Sequence, residues 1–162
     1  VLYPLNVQQA FINLNLLRNH IKVWWKSGQQ PIDLLDKGTV DMAVTWSGRV
    51  WAANKAGKRI EANFNQALVE AEYWVVPKGS PKKELAFKFV QFALRPDRQA
   101  EMAKLFGVGP TNLDAMPLID KDTARWLPSA PEHQGKTIMF DPKWWAQNEQ
   151  EVQVEWGRWL IH

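Results

Sequence analysis

One stretch of the chain places an aromatic side chain beside a charged one where ligands commonly bind. Residues 40–46 alternate apolar and other side chains, which predicts a strand, and residues 49–56 are helix formers. In open α/β sheets, ligands bind where strand carboxyl ends meet the amino termini of the following helices. Trp46, Ser47 and Arg49 are therefore candidate ligand-binding residues. The competing interpretation is that Trp46 closes the end of the core.

Tryptophan is the compositional outlier, with 10 residues spread along the chain. An indole offers a large apolar face that attracts cations and flat ligands, so this number favours an aromatic-walled pocket. Glu70 and Glu72 lie on the same face of a predicted strand over residues 69–77. Glu72 is a candidate counter-charge for a cationic ligand. The alternative is an ordinary solvated strand residue.

The residue patterns of common catalytic sites are incomplete. Residues 135–137 resemble the end of a phosphate loop, but Ala130 stands where the earlier glycine is required. Ser80 and Lys83 have the spacing of penicillin-recognising enzymes without the Lys-Thr-Gly partner. The three histidines are scattered and the chain has no cysteine. We therefore predict no enzyme, no cofactor and no metal; a carboxylate-based hydrolase remains a competing hypothesis, since sequence does not exclude an acid pair.

Composition limits the class of protein further. With 46% hydrophobic and 23% charged residues among 162, the chain is globular, and its apolar runs are too short to span a bilayer. The net charge of +3 includes a lysine cluster near residues 78–88, which we interpret as a solvated helix entry. No nucleic-acid partner is predicted. The opening residues suggest a segment taken from a longer protein.

The predicted elements alternate between strands and helices, which is typical of an α/β fold. Strands are expected at 22–26, 40–46, 59–62 and 69–77. Helices are expected at 7–21, from Pro31 to just before Gly38, at 49–56, 81–94, 96–106 and 141–160, with broken helix over 113–127.

An ordered set of motifs along the whole chain carries a family resemblance. The motifs are Tyr3-Pro4-Leu5, Trp24-Trp25-x-Ser27-Gly28, residues 41–49, residues 72–79, Gly109-Pro110-Thr111-Asn112 and Trp144-Trp145-Ala146-x-Asn148. Together they resemble the second half of an ABC-transporter extracytoplasmic solute-binding protein of the spermidine/putrescine-binding type.

That resemblance implies a fold and a domain organisation. The implied fold is one lobe of a type II periplasmic binding protein, a mixed sheet flanked by helices, as a fragment of a two-lobed protein. Residues 1–72 and 109–162 would belong to the second lobe and residues 73–108 to the first. The implied location is periplasmic, or extracytoplasmic and membrane-associated, and the implied partner is a membrane permease.

The resemblance also assigns roles to single residues. Trp46 would stack on the ligand, Glu72 would pair with an amine in place of the family's Asp, and Trp145 would lie near a polar contact. Val108 stands where related binders often carry Tyr. The expected ligand is a small cationic, polyamine-like solute; the alternative is a carbohydrate or other small molecule bound by the indoles without a counter-charge. The isolated fragment is expected to dimerise through apolar surface around residues 73–76 and the phenylalanines of the following helix.

Overall fold

The computed structural model describes residues 2–161 and divides them into two compact units. The terminal unit contains residues 2–24 and 138–161, and the central unit contains residues 25–137. The predicted domain boundaries after residues 72 and 108 concern the lobes of a longer protein and stay a prediction. Val1 and His162, at the ends of the predicted domains, lie outside the described residues.

Helices account for most of the regular structure within residues 2–161. The terminal unit contains α1 (Val7–Leu17), a 3₁₀ turn (Arg18–His20), strand β2 (Ile138–Met139) and α7 (Pro142–Ile161). The central unit contains α2 (Gln30–Asp36), α3 (Ser47–Lys55), strand β1 (Leu68–Val69), α4 (Lys83–Ala93), α5 (Pro96–Phe106), α6 (Lys121–Ala124) and 3₁₀ turns at Leu113–Leu118 and Pro131–His133. None of the helices in the described part of the chain combines the length and apolar character needed to cross a membrane.

Local capping chemistry sets the ends of the helices. The Asn6 side chain accepts a hydrogen bond from the Gln9 backbone N–H at 2.9 Å and starts α1. Asp141 does the same for α7, accepting from the backbone N–H groups of Lys143 and Trp144 at 2.9 and 3.0 Å. Gly107 has a φ of 63° and ends α5 in the left-handed conformation that glycine favours.

Two apolar cores hold the central unit together. One packs α2 and α3 against the segment after α6 and contains Ile32, Val50, Trp51, Ala53, Ile60 and Trp126. The other packs α5 against the 3₁₀ turn that begins at residue 113 and contains Ala100, Ala103, Ala115, Ile119 and Leu127. The small side chains of the second core allow close approach of its backbones. α3 contributes to the first core and carries the candidate ligand residues at its start.

The predicted strands are the main error of the sequence analysis. Residues 22–26, 40–46 and 59–62 carry no strand, and of residues 69–77 only Val69 belongs to one. Met42 and Val44 are 88% and 85% exposed, although the alternating pattern predicts that they share a buried face, and Val75 is 81% exposed, although the continuous apolar run around it predicts burial. A strand forms only beside a partner strand, so a chain segment with the right alternation stays irregular without one.

Three helix predictions also need correction. α3 begins at Ser47, two residues before its predicted start at residue 49. The first helix changes to a 3₁₀ turn after Leu17 instead of continuing to residue 21. The helix expected from residue 81 begins at Lys83, so Ser80 is not its N-cap and Pro81 lies in the preceding turn. The predicted helices at α2, α5 and α7 are confirmed, as is the broken helix between residues 113 and 127.

Candidate functional site

Trp46 occupies the N-cap position of α3, where irregular chain turns into helix. Its backbone is extended, with φ −82° and ψ 138°, and its side chain is 58% exposed. Ser47 is half-buried and Arg49 is exposed, both in the first turn of α3. The change of backbone direction therefore presents an indole and a guanidinium group at the amino terminus of one helix. Trp46 lies outside both apolar cores of the central unit, and its ligand-binding role stays a prediction.

The indole of Trp46 packs against the Trp25 ring and the Gly28 backbone. The Trp25 ring meets the Trp46 ring edge-on, with ring centres 5.2 Å apart, and its Nε1 donates a hydrogen bond to the Val44 carbonyl oxygen at 2.9 Å. A Cβ added to Gly28 would lie 2.7 Å from Cζ3 of Trp46 and 3.4 Å from Nε of Arg49. The Trp46 ring thus rests directly on the Gly28 backbone, and both neighbours limit its freedom.

The carboxyl end of α5 is fixed against the first turns of α3. A Cβ on Gly48 would lie 2.7 Å from the Phe106 carbonyl oxygen, and one on Gly107 would lie 2.5 Å from Cγ of Trp51. Val108 follows Gly107 directly and is exposed. The fold therefore places the end of α5 against Gly48 and Trp51, and the predicted ligand contact of Val108 stays a prediction. We call Trp46, Ser47 and Arg49 the Trp46 face.

Arg49 gives the Trp46 face a positive charge. Within residues 2–161, no carboxylate forms an ion pair with Arg49. An exposed guanidinium group of this kind is suited to bidentate contact with a carboxylate. The face can therefore offer an aromatic surface and an anion partner side by side.

Glu72 lies three residues beyond β1 and is exposed. In the described part of the chain, no hydrogen bond or ion pair joins Glu72 to Trp46 or Arg49. Its proposed pairing with a ligand amine therefore stays a prediction.

Trp145 belongs to the terminal unit and is surrounded by aromatic residues. Its Nε1 donates to the Tyr3 hydroxyl at 2.9 Å, and its ring stacks on Phe140 with centres 5.7 Å apart and planes 6° from parallel. Trp144 meets it edge-on at 5.1 Å. These contacts give Trp145 a packing role. Its predicted ligand contact stays a prediction.

Sequence reasoning identified the exposed indole but missed what holds it. Trp25 and Gly28 appear in the sequence only as a family motif and a turn, and Gly48 only as part of a turn. The available signal was the two glycines, Gly28 after the predicted strand 22–26 and Gly48 after the predicted strand 40–46, since glycine permits close approach of another group to the backbone. Among residues 2–161, no cluster of His, Asp or Glu is arranged to hold a metal ion.

Within the central unit, an exposed indole and a guanidinium group lie side by side at the amino terminus of α3. Residues 4–132 match the family described as bacterial extracellular solute-binding protein. The chain belongs to this family. The members of the family to which it is similar are extracytoplasmic solute-binding proteins of ABC transporters. The predicted location outside the cytoplasm is confirmed, and so is the periplasmic binding protein fold.

Individual relatives differ in the ligands that their names state. The gamma-aminobutyric acid-binding protein of Pseudomonas aeruginosa is 33% identical over 96% of this chain and 44% of its own length. The spermidine/putrescine-binding periplasmic protein of Salmonella typhimurium is 25% identical over 81% of this chain and 38% of its own length. The chain spans less than half the length of these curated relatives.

Solved structures agree with the fold. The periplasmic binding protein AgtB of A. tumefaciens R10, solved with agropinic acid, superposes with a TM-score of 0.81 at 34% identity, over 99% of this chain and 51% of its own. The predicted membership of the extracytoplasmic solute-binding protein family is therefore confirmed. The predicted spermidine/putrescine-binding type is not confirmed, because relatives named for gamma-aminobutyric acid and for agropinic acid are similar to the same chain.

Proposed function

We propose that this chain forms part of the solute-binding component of an ABC importer and takes up a small solute that carries an ammonium group. The solute would bind in a cleft between two lobes and be delivered to a membrane permease. Relatives named as binding proteins support this role rather than an enzymatic one. The observation that carries the proposal is the exposed indole of Trp46, because an ammonium group over an indole face is stabilised by about 0.5–2 kcal/mol.

Within that class, the charge on the Trp46 face favours a solute that also carries a carboxylate. Arg49 would pair with the carboxylate, Trp46 would cover the aliphatic part and the ammonium group, and Glu72 would neutralise the ammonium. A linear polyamine has no anion for Arg49 and would bring a second ammonium near it, which Coulomb repulsion opposes. The name of the gamma-aminobutyric acid-binding relative supports the same chemistry.

A polyamine remains the second candidate, favoured by the relatives named for spermidine and putrescine and by Glu72 itself. A diamine such as putrescine needs two anionic partners, of which this chain would supply Glu72. A carbohydrate needs none of these charges and would use the indole alone.

Calorimetric titration separates these ligands. The titrated sample is the complete translation product that contains these 162 residues. The ligands are gamma-aminobutyric acid, putrescine and glucose. The proposal expects gamma-aminobutyric acid to bind with 1:1 stoichiometry and no turnover. Arg49→Gln should weaken its binding by about tenfold, corresponding to one charge-assisted contact. Glu72→Gln should weaken it similarly.

The same variants define the contrary results. If putrescine binds instead and Arg49→Gln strengthens it, the polyamine is the ligand. If Glu72→Gln leaves the affinity for a bound solute unchanged, the counter-charge is wrong and a neutral ligand is favoured. Lys136→Gln is the matched control, since this exposed cation lies outside the Trp46 face and should leave binding unaffected.

We also propose that the 162-residue chain by itself associates with a second copy. Tyr73, Trp74 and Val75 are exposed, and the Trp74 ring meets Phe89 of α4 edge-on with ring centres 5.1 Å apart. Phe87 and Phe92 add exposed apolar surface to the same helix. Apolar surface of this extent tends to find a partner. A monodisperse monomer in light scattering would contradict the association.

A further inference from the structure

The chain that leads to Trp46 has little structure of its own. Residues 41–45 belong to no helix or strand, and Met42 and Val44 are 88% and 85% exposed. Within residues 2–161, no backbone–backbone hydrogen bond involves residues 41–45. A segment with so few contacts opens easily unless a side chain restrains it. The position of the Trp46 indole therefore depends on whatever holds this segment.

One side-chain hydrogen bond restrains the segment. Nε1 of Trp25 donates to the Val44 carbonyl oxygen at 2.9 Å. In the described part of the chain, this is the one hydrogen bond that reaches residues 41–45. An indole N–H can only donate, and a backbone carbonyl oxygen is a strong acceptor. The bond therefore fixes the backbone two residues before Trp46.

The same indole also contacts the Trp46 ring. The two ring centres are 5.2 Å apart and the planes are inclined at 67°, an arrangement that aromatic pairs prefer. Trp25 thus contacts Trp46 at its ring and holds the backbone that precedes it. Two contacts from one side chain restrict both the path of the chain and the orientation of the ring.

Trp25 is suited to this role because the turn that follows it is itself held. The Lys26 backbone N–H donates to the Gln30 side-chain oxygen at 2.8 Å, and the Gln30 backbone N–H donates to the Ser27 carbonyl oxygen at 3.0 Å. Gln30 begins α2, in which Ile32 is 1% exposed and belongs to the first apolar core. The restraint on Trp46 is therefore connected to the core of the central unit.

We propose that Trp25 is a positioning residue that preorganises the Trp46 face for its solute. Trp25 acts through Trp46 and not by contact with the solute itself. Preorganisation raises affinity because a side chain and loop that are already ordered lose less conformational freedom on binding. The effect on affinity rests on the proposed solute-binding function, whereas the restraint on Trp46 exists without any ligand.

The first experiment measures that restraint in the ligand-free protein. Two-dimensional NMR of the ¹⁵N-labelled complete translation product follows the indole N–H peaks of Trp25 and Trp46, assigned from Trp25→Phe and Trp46→Phe. The Trp25 N–H should exchange with solvent at least about tenfold more slowly than that of the free amino acid, because it is hydrogen-bonded. Trp25→Phe keeps an aromatic ring, removes the donor and should shift the Trp46 peak.

The second experiment measures solute affinity by calorimetry with gamma-aminobutyric acid, putrescine and glucose. Trp25→Phe should weaken the binding of the solute by about fivefold, as expected for the loss of one neutral hydrogen bond. Trp156→Phe is the matched control, because it removes an indole from another edge-on pair, with Trp24 at 5.1 Å, in the terminal unit. It should leave the Trp46 peak and the affinity unchanged.

Several results would overturn the role of Trp25. A Trp25 N–H that exchanges as fast as the free amino acid would do so, and this measurement needs no variant to fold. A Trp46 peak that stays in place in Trp25→Phe, or that moves equally in Trp156→Phe, would also do so. Unchanged affinity of Trp25→Phe for a solute that the unaltered protein binds would remove its role in binding.

Failure of the proposed function has a different signature. If the unaltered protein binds none of the three solutes, the proposed function is wrong. The two NMR measurements still decide whether Trp25 fixes Trp46.

Discussion

Two tryptophans in different units show how the same side chain can serve stability or recognition. In the terminal unit, Nε1 of Trp159 donates to the Asn15 side chain at 2.7 Å, and the Arg18 guanidinium covers the ring 4.0 Å from its centre. Trp24 and Trp156 pack on the same ring with centres 5.8 and 5.4 Å away. In the central unit, Trp46 is supported on one side and is 58% exposed.

The difference lies in which indole groups are already used. The N–H and the faces of Trp159 have protein partners, so removing the ring would break several contacts at once. The Trp46 ring is positioned by Gly28 and Trp25 but keeps exposed surface available for a ligand. A tryptophan-rich sequence therefore does not imply one aromatic pocket, since most of the rings can be consumed by packing.

Replacing Trp159 with alanine should have the largest effect on stability. The substitution removes the stacked ring, the cation–π contact of Arg18 and the hydrogen bond to Asn15, and should lower the free energy of unfolding by about 3 kcal/mol. Chemical denaturation monitored by circular dichroism measures the loss. Trp159→Phe keeps a ring without the N–H and should lose less. A loss below about 1 kcal/mol would show that the terminal unit does not depend on this cluster.

Trp46→Ala should reverse that pattern. Because the ring is mostly exposed, the free energy of unfolding should change by less than about 1 kcal/mol. Affinity for the solute should fall by about tenfold, as expected for loss of a cation–π contact. The two effects are measured on the same preparation by denaturation and calorimetry. A variant that loses stability but binds normally would make Trp46 a packing residue like Trp159.

Gly28→Ala tests whether the support beneath Trp46 matters. The new Cβ would lie 2.7 Å from Cζ3 of Trp46, closer than side chains tolerate, so the ring must move. We expect a loss of about 1 kcal/mol in stability from the displaced contact, and a severalfold loss of solute affinity. A crystal structure of the variant would show the ring position. Unchanged affinity would mean that the orientation of Trp46 does not limit binding.

The helices were predictable because their signals are local. Contacts within a few residues determine where these helices begin and end. Asn6 caps the start of α1, Pro31 lies in the first turn of α2, and Gly107 ends α5. Such contacts can be inferred from the sequence alone. The same reliance on local signals produced the error at Ser80. Serine is a good N-cap residue, but the chain forms a turn at Ser80 and the helix begins at Lys83.

The strands were not predictable in the same way, because strand formation depends on distant partners. Residues 40–46 have the alternation of a strand but run as irregular chain, with Met42 and Val44 exposed. The pattern reports which side chains a sheet could bury and carries no information on whether a neighbouring strand is present. The fold class was nonetheless correct, because the ordered motifs identified the family.

The candidate site was predictable only where its signals are local. Trp46 follows from an aromatic residue at the change from alternating to helical pattern, and Arg49 lies three residues further along. The contact between the end of α5 and Gly48 could not be inferred, because it joins backbone segments that are distant in the sequence. The role of Gly28 likewise depends on a ring eighteen positions away.

Gly157→Ala should have the smallest effect on the free energy of unfolding. It tests whether the α7 backbone between Trp156 and Trp159 takes part in packing. Gly157 lies between Trp156 and Trp159 on α7, and a Cβ there meets no atom within 4 Å. Because glycine in a helix interior costs about 0.5–1 kcal/mol relative to alanine, the substitution should raise the free energy of unfolding by that amount. Denaturation midpoints measure it, and solute affinity should not change. Destabilisation would mean that the bare backbone at Gly157 is itself a packing surface, so that the aromatic cluster on α7 contacts more of the protein than the described residues include.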